Sequence, residues 1–296
     1  MLKQTADRKL KQLTHALVIA ARRGDPKRCS ILLAEGAQID RPDKDRRTAL
    51  IAAIEKGHVD VVKQLLNRGA DPNWVIPSND PLLPGHSGLT LAVRFGHSAI
   101  VKELLRWKAD ASFEKTSGGT PLSYAASCGH VDILKQLLKA GARLTDHVMD
   151  GAVRQGHEKA VEILLKVGAN PNRPNRIKET LLSTASGNGH LGIVKLLIKY
   201  GAATERAQRG LTPLMWAVIR RHDEVAKWLI KHSVELETKD NGGRTALHHA
   251  VANHRLDIVK QLVASGAKVG AKNSKGITPL EIALELKNRK LVDLLR

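Results

Sequence analysis

The chain has 296 residues, which is enough for two ordinary domains or for one extended array of repeats. Its 48 Lys and Arg residues outnumber 29 Asp and Glu residues, and the formal charge of +19 points to an acidic surface, nucleic acid or an anionic membrane as partner. No apolar run approaches the roughly eighteen residues that span a bilayer, so we expect no membrane insertion. Cys29 and Cys128 are too few for a disulfide framework, which favours the cytoplasm or the nucleus.

Residues 1–13 are predicted to form a basic helical extension. Lys3, Arg8, Lys9 and Lys11 join the terminal amine in this segment. It lacks the hydrophobic stretch of a secretory signal, and Asp7 argues against a mitochondrial presequence. We expect the extension to cap a single domain that covers residues 14–296.

Three columns of residues recur in nine copies when this domain is compared with itself. The first column holds Leu17, Leu50, Leu89, Leu122, Met149, Leu182, Leu214, Leu247 and Leu280. The second holds Ala20, Ala53, Ala92, Ala125, Ala152, Ala185, Ala217, Ala250 and Ala283. The third holds Leu32, Leu65, Leu104, Leu137, Leu164, Leu197, Leu229, Leu262 and Leu295. Successive copies are 33, 39, 33, 27, 33, 32, 33 and 33 residues apart, and a period near 33 indicates a repeat protein.

Each copy is predicted to contain two helices followed by a turn. In residues 120–138, the hydroxyl of Thr120 suits the cap of a first helix, and Pro121 suits its first position, where no amide donor is needed. Gly129 suits the end of this helix, because glycine tolerates a positive φ. Alanine in the second column is what close approach of neighbouring helices requires. The polar residues after the second helix are typical of an exposed turn.

These strings resemble the ankyrin repeat. Its TPLH-like start occurs at residues 48, 120, 212, 245 and 278, and its GH pair occurs at residues 57, 96, 129, 156 and 189. A GA pair follows the second helix at Gly36, Gly69, Gly141, Gly168, Gly201 and Gly266. The resemblance implies an all-α solenoid with short β-turn fingers, in which helix-turn-helix units stack into a curved slab. It also implies a protein-binding scaffold or adaptor that is not an enzyme.

Two steps depart from the period and predict unusual fingers. The 39-residue step inserts six residues and predicts an extended, projecting finger at residues 74–86, where three prolines oppose a regular helix or strand. The 27-residue step predicts a shortened finger at residues 142–148. Such irregular steps argue against an idealised designed array.

The sequence contains residue types that often take part in catalysis, but it does not arrange them in a known catalytic motif. The sequence has no GxSxG elbow, phosphate-binding glycine loop, HExxH or paired-cysteine motif. The GH histidines recur once per repeat, and helices about 8–10 Å apart are too far from one another for one zinc ion at about 2 Å per ligand. His248, His249 and His254 lack an accompanying acidic ligand. We therefore expect no catalytic residue, no cofactor and no metal.

The resemblance places partners against the finger tips and against the two residues before each GH pair. Five of nine copies carry a basic residue at those helix positions, which predicts a basic concave face for an acidic or extended segment of another protein. The aromatic residues Trp74, Phe95 and Phe113 are predicted anchors, because interface hot spots are rich in aromatic residues. The predicted partner-binding residues are Arg22, Arg23, Lys44, Arg47, Lys56, Trp74, Arg94, Phe95, Phe113, Lys115, Arg154, Arg176, Lys178, Arg209, Arg220 and Arg244.

Three alternatives stay open at this point. The basic charge also suits a solvated coat, or nucleic acid or an anionic surface bound through phosphate contacts. The array also suits a spacer in an assembly, although we expect a monomer. Asn73 and Asn172 resemble the asparagine-hydroxylation sites of the ankyrin family, since each follows a third-column leucine by eight residues.

Overall fold

A computed structural model describes residues 2–114, 119–175, 179–204, 210–232 and 235–296, with side-chain surroundings from residue 8 onward. The described residues contain eighteen α-helices and group into two compact units, Met1–Val148 and Met149–Arg296. The helices of the N-terminal unit are α1 Leu2–Arg23, α2 Pro26–Ala34, α3 Ala49–Lys56, α4 Val59–Asn67, α5 Gly88–Arg94, α6 Ser98–Arg106, α7 Pro121–Ser127 and α8 Val131–Lys139. Those of the C-terminal unit are α9 Asp150–Gln155, α10 Glu158–Lys166, α11 Leu181–Gly187, α12 Leu191–Lys199, α13 Pro213–Ile219, α14 Asp223–Lys231, α15 Ala246–Ala252, α16 Leu256–Ala264, α17 Pro279–Glu285 and α18 Arg289–Leu295.

The helices pair and stack as the repeat pattern predicts. Within each unit, the first helix of a repeat contacts the first helix of the next repeat, and the second helices contact one another in the same way. Each helix pair therefore buries its apolar faces only against its neighbours, which is the arrangement of a solenoid. The all-α fold predicted from the sequence is confirmed.

Local sequence sets the start and end of the first helices. The side chain of Thr120 accepts a hydrogen bond from the Ser123 amide at 3.2 Å, and Pro121 is the first helical residue, as predicted. Thr48, Ser87, Thr180 and Thr212 cap their helices by the same bond. Gly129 follows α7 with φ +70°, a conformation that favours glycine.

The three sequence columns form the core of the stack, except that Leu280 in the last repeat is only half-buried. The alanine column is buried, with no member more than 4% exposed, and the third-column leucines are buried to the same degree. A larger side chain at an alanine position would have no space, because core residues are packed to crystal-like density. The alanine column therefore fixes the spacing of the first helices.

The fingers are turns and not strands in the described residues. Two isolated antiparallel bridges occur there, Val75↔Ser87 and Pro174↔Thr180. The first bridge closes the extended finger, where the amide of Ile76 also donates to the His86 carbonyl at 2.9 Å and the Ile76 side chain is fully buried. The extended finger therefore buries the apolar side chain of Ile76.

The predicted extension 1–13 is continuous with the first repeat, because α1 runs without a break from Leu2 to Arg23. The two compact units divide at the end of the shortened finger. The predicted bounds of a single repeat domain, 14–296, stay a prediction. None of the described helices combines the length and the apolar character that crossing a bilayer requires.

Candidate partner-binding surface

Six basic residues lie at the C-terminal ends of first helices. We call these residues the basic rim: Arg22, Arg23, Lys56, Arg94, Arg154 and Arg220. Cations are favourable at this end of a helix, where the backbone carbonyls carry the negative end of the macrodipole. Arg22 is half-buried and the other five are exposed. Among the described residues, no carboxylate lies within 4.0 Å of their charged nitrogens.

The Gly-His corners hold the rim in place. The His58 ring donates from Nε2 to the Arg22 carbonyl at 3.0 Å, and the His190 ring donates to the Arg154 carbonyl at 3.1 Å. Each of these two rings thus bonds the backbone of the preceding repeat. The histidines of these corners are structural.

Arg47 requires a correction. Its side chain was predicted to contact a partner, but the residue is only 5% exposed and pairs with Asp80 at 2.7 Å and with Glu55 at 2.8 Å. The Arg47 guanidinium holds the pKa of Asp80 well below its usual range. The charge of Arg47 is therefore neutralised inside the fold and is not available to a partner.

This ion pair anchors the extended finger. One oxygen of Asp80 accepts the backbone amides of Leu82 at 3.0 Å and of Leu83 at 2.8 Å, while the other accepts the Arg47 guanidinium. Arg46 adds a hydrogen bond to the Asn79 side chain. The finger is thereby held in one conformation, in which the Leu82 side chain is 77% exposed.

The finger forms one wall of a groove in the N-terminal unit. The N-terminal groove has a volume of about 800 Å³. Its apolar lining consists of Pro81, Leu82, Leu83 and Phe95, and its basic lining consists of Arg22, Lys44, Arg46 and Lys56 around the paired Arg47. Phe95 is 43% exposed. Asp45, Glu55 and Asp80 complete the lining, so five basic and three acidic residues leave two positive charges in excess.

A second pocket lies in the C-terminal unit. It has a volume of about 410 Å³ and contains Arg154 and Arg220 together with Trp216. The Arg220 guanidinium lies over the Trp216 ring at 5.7 Å, a cation–π contact that fixes its position. Glu179 also lines this pocket and offsets part of the positive charge.

The predicted residues thus fall into separate groups. Arg22, Lys44, Arg47, Lys56 and Phe95 meet in the N-terminal groove, and Arg154 and Arg220 meet in the C-terminal pocket. Trp74 and Phe113 are half-buried, Arg23, Arg94 and Arg244 are exposed, and none of these five lines either site. Lys115, Arg176, Lys178 and Arg209 lie outside the described residues.

The two asparagines that resemble hydroxylation sites bridge neighbouring fingers. Asn73 accepts the Asp110 amide at 2.8 Å through Oδ1 and donates to the Lys108 carbonyl at 3.4 Å. Asn172 makes the equivalent bonds to Ala203 and Gly201. Both are exposed, and their hydroxylation stays a prediction.

Sequence reasoning missed the residues that shape the N-terminal groove. Leu82 and Leu83 were read only as part of a projecting finger, and Asp80 was not singled out. The available signal was an Asp-Pro-Leu-Leu string inside a polar finger, where two consecutive leucines have no core position of the repeat to fill.

The ionisable residues of the interior serve the fold. His248 is fully buried, its Nδ1 accepts the Thr245 amide and its Nε2 donates to the Ile277 carbonyl, each at 3.1 Å. Burial raises the pKa of the Cys29 thiol to about 11, and burial also raises the pKa of Cys128 against the effect of Arg94. Neither thiol is ionised to a useful extent at neutral pH. No group of three metal-ligating side chains occurs in the described ranges.

Helix pairs with a threonine cap, a Gly-His corner and a buried alanine column define a repeat protein of the α-solenoid class. Four segments of the chain, residues 2–75, 76–147, 149–240 and 234–296, match a family profile that is described as three copies of the ankyrin repeat. The chain belongs to the ankyrin-repeat family. Ankyrin repeats are generally protein–protein interaction modules and typically lack catalytic activity.

Several curated proteins share the repeats. The chain is 32% identical over 255 residues to the ankyrin repeat and KH domain-containing protein mask-1 of Caenorhabditis elegans, covering 83% of this chain and 9% of that protein. It is 34% identical over 207 residues to the palmitoyltransferase ZDHHC17 of Danio rerio, covering 67% and 33%. It is 30% identical over 202 residues to the potassium channel AKT2/3 of Arabidopsis thaliana, covering 66% and 21%. The chain spans a third or less of each relative, and the likeness to the transferase lies in its ankyrin region.

Proposed function

We propose that the chain is a non-catalytic scaffold that binds an acidic, extended segment of a partner protein on its basic rim. The observation that carries the proposal is the state of the rim. The side chains of the basic rim have no carboxylate partner among the described residues. The acids nearby form ion pairs with other residues, Glu55 with Arg47 and Asp223 with Arg255. A set of unpaired cations attracts an acidic segment and speeds its encounter.

The exposed lysines of the second helices provide the comparison that separates a binding surface from a charged coat. Lys102, Lys195 and Lys260 lie in α6, α12 and α16 and are exposed. They carry the same charge as the rim residues Arg94 and Arg154 but lie on the other helix of the repeat. If charge reversal of either set weakened binding equally, the net charge of the chain alone would account for the binding.

The test compares two triple variants with equal net charge. In the rim variant Arg94, Arg154 and Arg220 are replaced by Glu, and in the control variant Lys102, Lys195 and Lys260 are replaced by Glu. Binding of a fluorescent Glu-rich peptide is measured by anisotropy at about 150 mM NaCl. We expect the rim variant to lose at least about tenfold in affinity, which corresponds to about 1.4 kcal/mol, and the control variant to lose little.

Two outcomes would overturn the proposal. One is an equal loss in both variants. The other is saturable binding of duplex or single-stranded oligonucleotides that is tighter than binding of the peptide, because phosphate contacts would then account for the charge. Circular dichroism of each variant verifies that the helices are intact.

The same proposal includes a monomeric chain in the cytoplasm or the nucleus. Cys29 and Cys128 are both free thiols, which suits a reducing compartment. Light scattering coupled to size exclusion measures the mass, and fluorescence microscopy of a tagged chain measures the location. A dimer, or a signal confined to another compartment, would contradict this part.

A further inference from the structure

The N-terminal groove differs from the rest of the basic rim, because it combines free cations with an exposed apolar surface. Leu82 and Phe95 are 77% and 43% exposed, and both line the same groove. Exposed apolar side chains of this size in a groove that is otherwise lined by charged residues are typical of a site for another molecule. The groove thus offers two kinds of contact to one ligand.

The apolar wall is pre-organised. Asp80 is 6% exposed and links Arg47 to the amides of Leu82 and Leu83. Pro77, Pro81 and Pro84 restrict the backbone on both sides of it. A wall that is already ordered loses little conformational entropy when a ligand binds, so more of the contact energy appears as affinity.

The charge of the groove selects the ligand. Glu55 and Asp80 both pair with Arg47, so these three residues together keep one negative charge. With Asp45, two negative charges face the four cations Arg22, Lys44, Arg46 and Lys56, and the groove keeps two positive charges in excess. A groove lined by apolar and positively charged residues is complementary to a segment that carries an apolar side chain and carboxylates. A purely acidic ligand would leave Leu82 uncovered, and a purely apolar ligand would leave the cations without partners.

We infer that the N-terminal groove binds an acidic segment of a partner protein that carries one large apolar side chain, which packs between Leu82 and Phe95 while its flanking carboxylates pair with the surrounding cations. This inference rests on the proposed function and gives the partner segment a second requirement. Carboxylates provide the attraction, and the apolar side chain fixes the register.

The test uses two peptides that differ at one position. Both are Glu-rich and of equal length, with Phe at the centre of the first and Ser at the centre of the second. Wild-type protein is expected to bind the Phe peptide at least about tenfold more tightly, which corresponds to about 1.4 kcal/mol, because buried aromatic anchors carry much of the binding energy of an interface. In the double variant Leu82→Ser and Phe95→Ser this preference is expected to disappear.

Ile31→Ser is the matched control. Ile31 is 48% exposed in α2 of the same unit and does not line the groove. This variant removes a similar exposed apolar surface and is expected to keep the full preference for the Phe peptide. Because all three substituted residues are exposed, the variants are expected to fold like the wild type.

The outcomes separate the inference from the proposed function. If wild type binds both peptides equally, or if the double variant keeps the preference, the inference is wrong while binding of an acidic segment stands. If neither peptide binds, both are wrong. Concentration-dependent dimers that disappear in the Leu82→Ser variant would show that a second copy of the chain occupies the groove, and this would also overturn the inference.

Discussion

The glycine of the Gly189-His190 corner is required for two separate reasons. Gly189 has φ +77°, and a Cβ atom added to it would lie 2.5 Å from Nδ1 of the His222 ring in the next repeat. Gly201 has a similar φ of +83°, yet a Cβ atom added there would meet nothing within 4 Å. The two positions therefore differ in packing while they share the same backbone strain.

Substitution of these two glycines separates strain from packing. Gly201→Ala is expected to lower the free energy of unfolding by about 1–2 kcal/mol, the cost of a left-handed conformation. Gly189→Ala is expected to cost roughly 1–3 kcal/mol more, because the His222 ring must shift. Urea unfolding followed by circular dichroism measures both. Equal losses would show that the contact with His222 does not restrict the corner.

His248 makes the C-terminal unit sensitive to acid. Burial lowers the pKa of His248, helped by the charges of His249, Lys239 and Arg244, although the bond to Ile277 acts in the opposite direction. Protonation would place a hydrogen on Nδ1, which could then no longer accept the Thr245 amide. The folded state therefore favours the neutral ring.

The sign of the pH effect follows from this shift. Because the folded pKa lies below the ordinary value of about 6.5, the unfolded chain binds more protons as the pH falls, and stability decreases below about pH 6.5. The expected result is a lower free energy of unfolding at pH 5 than at pH 7.5. The variant His248→Gln is expected to be less stable at pH 7.5 but to lose less on acidification. An unchanged dependence on pH in the variant would contradict this role.

At the scale of secondary-structure elements, the extended finger depends on one buried ion pair. Arg47 lies in the first finger and Asp80 in the second, 33 residues later, so the pair joins two successive repeats. Removal of one partner of a buried pair leaves an uncompensated charge, which is costly. The conformation of residues 80–83 is therefore coupled to the integrity of this pair.

The variant Asp80→Asn tests that coupling. It removes the charge that pairs with Arg47, while Glu55 remains in place, and we expect a loss of about 2–3 kcal/mol. Hydrogen exchange is expected to become faster at the Leu82 and Leu83 amides. Asp45→Asn removes an exposed charge from the same groove and is the control. Similar exchange in both variants would show that the ion pair does not hold the finger.

The sequence predicted the regular part of this fold and missed part of the surface. Nine copies of the leucine and alanine columns are sufficient to place the helix pairs, because each repeat contacts only its neighbours. The 39-residue step predicted that the second finger is long. It did not predict the exposure of Leu82 or the burial of Arg47, because both depend on a pairing with Asp80 that forms only when two repeats stack. A count of basic residues in the fingers assumes that every arginine there is exposed, and this assumption fails for Arg47.

The balance of charge over the whole molecule determines how binding responds to salt. The formal charge is +19, and exposed charges are screened beyond about 8 Å at physiological ionic strength. Affinity for a Glu-rich peptide is expected to fall on the order of tenfold from about 50 mM to about 500 mM NaCl. The Phe-centred peptide is expected to retain more of its affinity, since apolar contacts are not screened. Anisotropy titrations at several salt concentrations measure this, and parallel losses for both peptides would contradict it.

The histidine rings at the corners limit the backbone contacts through which a partner can be recognised. At Arg22 and Arg154 the main-chain oxygen next to the rim already accepts a ring N–H from the following repeat. A bound segment therefore has little backbone to pair with there, and recognition through an added β-strand is disfavoured at these positions. Specificity then resides in side chains alone. Related chains can diverge toward new partners by exchanging those few exposed residues, while the corner that closes each repeat stays the same.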